Sequence, residues 1–421
     1  MKSTVIIVFW IVSLASAWAQ QPCRTQVFDK LIHSLQVHVA DQLMSIPCIE
    51  AGSDQQIEIS FDALSPQAVR YAYSIVHCNA DWTPSTLSQI EYLDGFQGIP
   101  IDDFANSMTT TVEYVNYQFR LPNEEVHFKV SGNYAVRVYP EDEPDQTAFV
   151  ACFSIVEPLV SISGQIRGNT DIDTNAGHQQ VDFSIWQKRF PITHPQSDLK
   201  IRVTQNNRTD NVVTDLVPTL ISNDQIDYTN NRKLIFEAGN EFRRMEFLST
   251  KYNGMHVEGI SFHNPYYHLD LQTDLSRQMV TYQYDQDQDG RYFVNCSGCD
   301  DPDLEADYFV VHFALDSDPL PAGKLYIAGE LTQQQFSEPY EMHYNPESQQ
   351  YEHYLMLKQG NYNYQYLFVP EGETKGRTVL TEGDFYQTEN EYTIYVYYRP
   401  IGARFDRLIG VSTLKNQIQL Y

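Results

Sequence analysis

The sequence predicts an all-β protein built from tandem antiparallel β-sandwich domains, and three observations carry that prediction. The 29 Tyr and 22 Phe sit beside Val, Ile and Thr in short alternating stretches, a pattern that fits a pleated surface with one face buried. The 20 Gly and 20 Pro supply frequent turns. A length of 421 residues at 42% hydrophobic is enough to bury about two or three separate cores.

The chain opens on MKST, continues with VIIVFWIVSLASA, and reaches Ala17, Trp18 and Ala19 ahead of Gln20. A charged start, an apolar middle and a small-x-small end make residues 1–19 a secretory signal peptide, with cleavage expected between Ala19 and Gln20. The apolar run is shorter than the roughly 20 residues a spanning helix needs, so no direct membrane insertion is expected. Cys23 follows Gln-Gln-Pro and does not sit at the cleavage point, which argues against a lipoprotein.

The N-terminal β-sandwich is expected over residues 20–157, with strands at IEISFDAL (57–64), AVRYAYSIVHC (68–78), TTVEYVNYQFRL (110–121), NYAVRVYP (133–140) and TAFVACFSIV (147–156). In the last of these Phe149, Ala151, Phe153 and Ile155 share the face that should be buried, and Cys152 falls on the other. A middle β-rich domain is expected over 158–300, with QQVDFSIWQ (179–187), DLKIRVTQN (198–206), RKLIFEAGNEFRRMEFL (232–248) and MVTYQYDQDQDGRYFV (279–294). In that last stretch Asp289-Gly290 is a hairpin signal. Asp285, Asp287, Asp289 and Gly290 also imitate half of a calcium loop, but Cys296 stands where a bidentate Glu is needed, so the turn reading is preferred. The C-terminal sandwich is expected over 301–421, with DYFVVHFAL (307–315), KLYIAGEL (324–331), YEHYLMLKQG (351–360), NYNYQYLF (361–368) and NEYTIYVYYR (390–399).

Within NYNYQYLF, Tyr362, Tyr364, Tyr366 and Phe368 alternate with Asn361, Asn363, Gln365 and Leu367. Such a stripe is either a platform for a flat ligand or the inside of a sandwich. Burying each ring hides roughly 150 to 250 Å², so the core reading is preferred and the polar partners are expected to face water.

All six cysteines lie beyond the expected cleavage point and suit an oxidising compartment. Cys296 and Cys299 are the closest pair. Redox chemistry and half a zinc site are the alternatives, but the pair enters an acidic loop with no second CxxC and no adjacent His, so it reads as a local disulfide or two plain thiols.

The formal charge is -27, from 55 acidic and 28 basic side chains, a field that repels phosphate backbones and makes nucleic-acid partners unexpected. The charge serves solubility, partner choice, or both. His77, His178, His194, His256, His263 and His268 are dispersed, with no GxSxG elbow or HExxH spacing near them. No catalytic residue, metal site or cofactor is expected.

GKLYIAGELTQQQF (323–336) with EMHYNPESQQYEHYLMLKQGNYNYQYLF (341–368) resembles the early-set, immunoglobulin-like modules that precede starch- and glycogen-active domains. Gly329-Glu330-Leu331-Thr332 stands at their binding turn and Phe336 replaces a Trp, so the resemblance implies the fold and not the sugar binding. A wider resemblance rests on YSIVHCNADWTPSTLSQIEYLDGF (73–96), SGNYAVRVYP (131–140), HQQVDF (178–183), TQNNRTDN (204–211), GNEFRRME (239–246), ENEYTIYVYYRP (389–400) and DRLIGV (406–411). Together these are similar to the plug family of the Bacteroidota type IX secretion system. That resemblance implies a non-enzymatic periplasmic subunit at the inner face of the outer membrane, closing the mouth of a large translocon barrel. It implies no catalytic set, and Trp82, Asn79, Asp81 and Gly239-Asn240 read as packing and turn residues. A periplasmic carbohydrate-binding module is the alternative.

Overall fold

The alternation read from the sequence builds a first sandwich from β1 (Ile32–Val39), β2 (Ile57–Ala63), β3 (Tyr71–Cys78), β4 (Val115–Leu121), β5 (Gly132–Pro140) and β6 (Phe149–Val156). The computed structural model describes residues 22–416, so the signal-peptide reading with Ala19 and Gln20 lies outside the described residues. One sheet holds β1, β2 and β4 with β2 central, and the other holds β6, β5 and β3 with β5 central. Their inner faces meet in an aromatic cluster: Phe61 stacks on Tyr117 at 4.9 Å and meets Phe149 edge-on at 4.7 Å. Phe149, Ala151, Phe153 and Ile155 do face this core. Cys152, on the opposite face, is buried as well, against Cys78, Cys23 and Trp82.

Beyond it come β7 (Ser161–Arg167), β8 (His178–Trp186) and β9 (Leu199–Gln205). Then follow β10 (Arg243–Phe247), β11 (Tyr266–Leu271), β12 (Tyr308–Asp316), β13 (Gly323–Ala328), β14 (Gln350–Lys358) and β15 (Gly360–Pro370), all within one ten-stranded sheet. The chain ends on β16 (Glu391–Tyr398) and β17 (Arg407–Lys415).

Pairing crosses the boundaries expected at 158–300 and 301–421. β16 lies between β9 and β17, and that three-stranded sheet covers β7 and β8 to bury Phe183, Ile185, Val203, Ile394 and Val396. Conversely β10 and Tyr292–Val294 both pair with β15, and β11 pairs with β12. Alternation reports that a segment has an apolar face, but the partner that covers it is chosen by which faces remain open, at any distance along the chain.

The aromatic stripe of β15 is core. Tyr364 and Tyr366 have no exposed surface, and Tyr362 stacks on Tyr292 at 5.0 Å and on Phe247 at 5.6 Å. Gly360 starts this strand because a Cβ there would stand 2.4 Å from the Phe293 carbonyl oxygen. Asn363 and Gln365 are buried too, contrary to the expected wet face. The loop before Tyr292 lies across that side, and Asn363 Nδ2 donates to Gln288 Oε1 at 3.3 Å.

That same loop corrects the hairpin expected at 279–294. Asp289 and Gly290 do turn, with φ of 53° and 84°, but no strand precedes them. The segment is tied by side chains instead, as where the Tyr282 hydroxyl bonds the Glu241 carboxylate.

Replacing Tyr364 by Ala is expected to cost about 3 to 5 kcal/mol, because it opens a cavity where a fully buried ring stood. Denaturant unfolding of the variant beside the parent measures this, and an unchanged midpoint would remove the stripe from the core.

Candidate functional site

Among the described residues no group of three or more His, Cys, Asp or Glu side chains is placed to hold a metal ion. The polar side chains that come together in the interior do so at the junctions between modules and in the core beneath β15.

The first junction joins the opening sandwich to the ten-stranded sheet. Asp62 of β2 and Lys358 of β14 meet at 2.7 Å, each side chain only 1% exposed. Tyr308 also donates its hydroxyl to Asp62 Oδ2 at 2.6 Å, and Asn116 Nδ2 donates to Oδ1 at 2.8 Å. Lys358 Nζ sits 4.2 Å above the Tyr114 ring and donates to the Asp303 carbonyl at 2.7 Å. Both charges thus carry several partners, which a buried pair needs if desolvation is not to exceed the attraction. Asp307 extends the contact by accepting from the backbone N–H groups of Thr111 and Val112, at 2.8 and 3.1 Å.

A second junction ties the opening sandwich to β16 and β17. Asp406, fully buried, accepts from the Ala80 backbone at 2.9 Å and from Lys200 at 3.0 Å. Tyr397 donates to Asn133 Oδ1 at 2.9 Å, and Arg407 pairs with Glu157 at 2.5 Å. A third junction links the two remaining modules through Arg291 and Glu391 at 2.7 Å, with Lys415 reaching Asp289 at 2.9 Å.

Beneath the stripe of β15 lies a buried ionic network. Tyr364 and Tyr366 both donate to Asp274 Oδ2 at 2.8 Å. Arg243 bridges Asp274 at 2.6 Å and Glu382 at 3.0 Å, and Arg277 adds a second cation to Glu382 at 2.6 Å. Burial raises the Glu382 carboxyl, but Arg243 and Arg277 outweigh it and hold that group below the usual range. With every oxygen of Asp274 and Glu382 held by fixed donors, the network braces the core.

The residues singled out by spacing have structural partners. Cys296 and Cys299 are joined as a disulfide, Cα to Cα 5.8 Å. Asp285 pairs with Arg244 at 2.7 Å, and Asp287 accepts from the Asp289 backbone at 2.9 Å. The calcium-like Asp side chains therefore point at different partners and not at one centre. Sequence reasoning did not find Asp62, Lys358 or Asp406. For Asp62 and Lys358 the signal was a charged residue inside an apolar strand, while Asp406 stands just ahead of β17, and nothing local names their partners.

A cleft of about 780 Å³ opens where three parts of the chain meet, lined among others by Arg24, Asp210, Lys324, Tyr326, Phe336 and Glu373. Tyr326 and Phe336 face each other with ring centroids 5.3 Å apart.

Fold and junctions define a multi-module β-sandwich scaffold whose buried polar groups serve cohesion. Residues 32–157 match the family model described as Type 9 secretion system plug protein 1st domain, and the chain belongs to that plug family. It is also similar to a crystal structure of a hypothetical protein from Parabacteroides merdae, with 62% identity, a TM-score of 0.93, and coverage of 94% of this chain and 100% of that one. No curated protein matches the chain.

Replacing Lys358 by Met strands the Asp62 carboxylate in the junction and is expected to cost about 3 to 5 kcal/mol, whereas Lys358→Met combined with Asp62→Asn should cost less than that single change. Equilibrium unfolding of the two variants decides, and equal or greater loss in the double variant would contradict the pairing.

A pH dependence follows from three buried carboxyls. Asp287 is pushed up to about 8 by burial, reinforced by Asp289 and Glu241. Burial also pushes Glu241 up to about 7, reinforced by Glu389 and Asp289, and Glu330 up to about 7, against the pull of Arg291. Unfolded, these groups ionise near pH 4. The folded state therefore holds protons that the unfolded state has released, and their stabilising contribution is lost as pH rises through 7 to 8. Burial holds His77 down at about 4, so its opposing effect starts only below about pH 6.5. The melting temperature should fall between about pH 6.5 and 8.5, and Asp287→Asn with Glu241→Gln should flatten that slope.

Proposed function

We propose that this protein is a non-enzymatic periplasmic subunit that closes the periplasmic opening of the outer-membrane translocon barrel of the type IX secretion system by steric occlusion. The plug-family first domain over residues 32–157 carries the reading. The junctions support it, because closing a wide protein-conducting opening calls for a bulky body that docks and leaves as one unit. The Asp62–Lys358 pair and the Ala80 N–H bond to Asp406 tie that first domain to both other modules.

Attachment is by docking. No helix among the described residues is long and apolar enough to cross a membrane. A stable complex of this kind buries on the order of 2,000 Å² or more. Ile90, Phe96 and Ile401 are 77%, 82% and 93% exposed, on segments held together by the Arg404–Glu91 pair, and they form apolar surface that docking would cover. The -27 charge favours a rim of complementary sign and steers the approach.

A deletion strain tests the function. The barrel should remain assembled but leak, with increased entry of large antibiotics and increased current through the reconstituted pore, and affinity purification of the protein should recover the barrel. Unchanged permeability together with no stable association with any outer-membrane barrel would overturn the proposal.

A further inference from the structure

The cluster of three cysteines beside β6 takes no part in the junctions between modules. Cys23, ahead of β1, Cys78, at the end of β3, and Cys152, in β6, pack together with Val76, Ala135, Val150 and Trp82. Far apart in sequence, they are brought together by backbone contacts. The Cys23 N–H donates to the Trp82 carbonyl at 2.9 Å, and the Cys152 N–H donates to Thr25 Oγ1 at 3.1 Å. Gln26 and Val27 then pair with Val150 and Phe149, which lays the leading segment along β6. Cys23 is partly exposed, while Cys78 and Cys152 are buried. The Cys78 thiol donates to the Val76 carbonyl at 3.9 Å, and Cys23 is the neighbour that acts most strongly on it, so the two side chains lie side by side in the cluster. Cys48 stands apart, against Tyr395 and Val411.

We propose that Cys23 and Cys78 form a second disulfide in the oxidised protein, clasping the segment ahead of the first sandwich to the end of β3, with Cys23 as the cysteine that meets the oxidant. This goes beyond the plug function and does not depend on it. The oxidant is itself a disulfide, of the small-molecule or oxidoreductase kind. The Cys23 thiolate attacks one of its sulfurs, and the other sulfur leaves with the electron pair of the broken bond and takes up a proton. Cys78 then gives its proton to water and attacks the Cys23 sulfur of the mixed disulfide. The new S–S bond forms as the second half of the oxidant leaves and is protonated. Two electrons and two protons pass from the cysteine pair to the oxidant, which departs as two thiols.

The order of attack follows from the surroundings. The neighbouring Cys78 side chain holds the Cys23 thiol below its ordinary value against the opposing effect of burial, and thiolate character with access makes a cysteine reactive. Burial pushes Cys152 well up and keeps it a thiol.

The test uses the chain from Gln20 onward carrying Cys296→Ser and Cys299→Ser, equilibrated with oxidised glutathione, alkylated in denaturant and mapped by mass spectrometry. A peptide linking Cys23 to Cys78 is expected, with Cys48 and Cys152 alkylated, and oxidation should raise the melting temperature by about 5 °C or more. Cys23→Ser should abolish both the linked peptide and the redox dependence of melting while leaving the reduced protein's melting temperature unchanged. Four alkylated cysteines, glutathione retained on Cys23, or a link joining any other pair would overturn the proposal. Mapping the parent sequence reads the same answer if the serine background fails to fold, since the Cys296–Cys299 link is a distinct peptide.

Discussion

The ion pair between Asp62 and Lys358 is the contact on which the arrangement of the modules depends. Separating the opening sandwich from the ten-stranded sheet would expose two charges that already have their donors and acceptors in place, together with the rings of Tyr114 and Tyr308. Leaving either charge in the interior without the other is the costly state. The pair therefore stabilises one relative placement of the modules and penalises near alternatives, because a shift of even a few ångströms breaks its hydrogen bonds while the charges stay dry.

The remaining buried charges follow the same logic at the other seams. Asp406 receives a backbone N–H from the first module and a lysine from the second, so a single carboxylate senses whether both are in place. Arg291 and Glu391 do this between the second and third. Within a chain of overall charge -27, Lys358, Arg243 and Arg291 are cations placed where carboxylates are buried. A plug-family chain built this way presents a cohesive body with a strongly negative exterior.

Buried carboxyls with too few cations form a second class. Asp287 and Glu241 lie where the loop between β11 and β12 crosses the back of β15; Glu241 raises the proton affinity of Asp287, and Asp289 raises that of both. They hold that loop by hydrogen bonds to backbone and to Tyr282, which is why a segment with strong alternation stays irregular. Side-chain ties have replaced a strand partner.

The sequence by itself determined most of the long strands, their apolar faces and the aromatic stripe, because period-two alternation and ring burial are local properties, although the alternating stretch at 281–288 forms no strand. Phe149, Ala151, Phe153 and Ile155 were legible for that reason, and so were Tyr362, Tyr364 and Tyr366. The resemblance to the plug family was legible in long strings of residues. Tertiary structure alone decided where the chain's ends go: β16 and β17 return to β9, and β10 joins β15. It also decided that Asn363 and Gln365 are dry, that Asp62 meets Lys358, and that Cys23, Cys78 and Cys152 share one pocket. Each of these depends on what covers a face after the strands have formed, and that is a matter of long-range closure between segments far apart in sequence, which no local pattern of residues encodes.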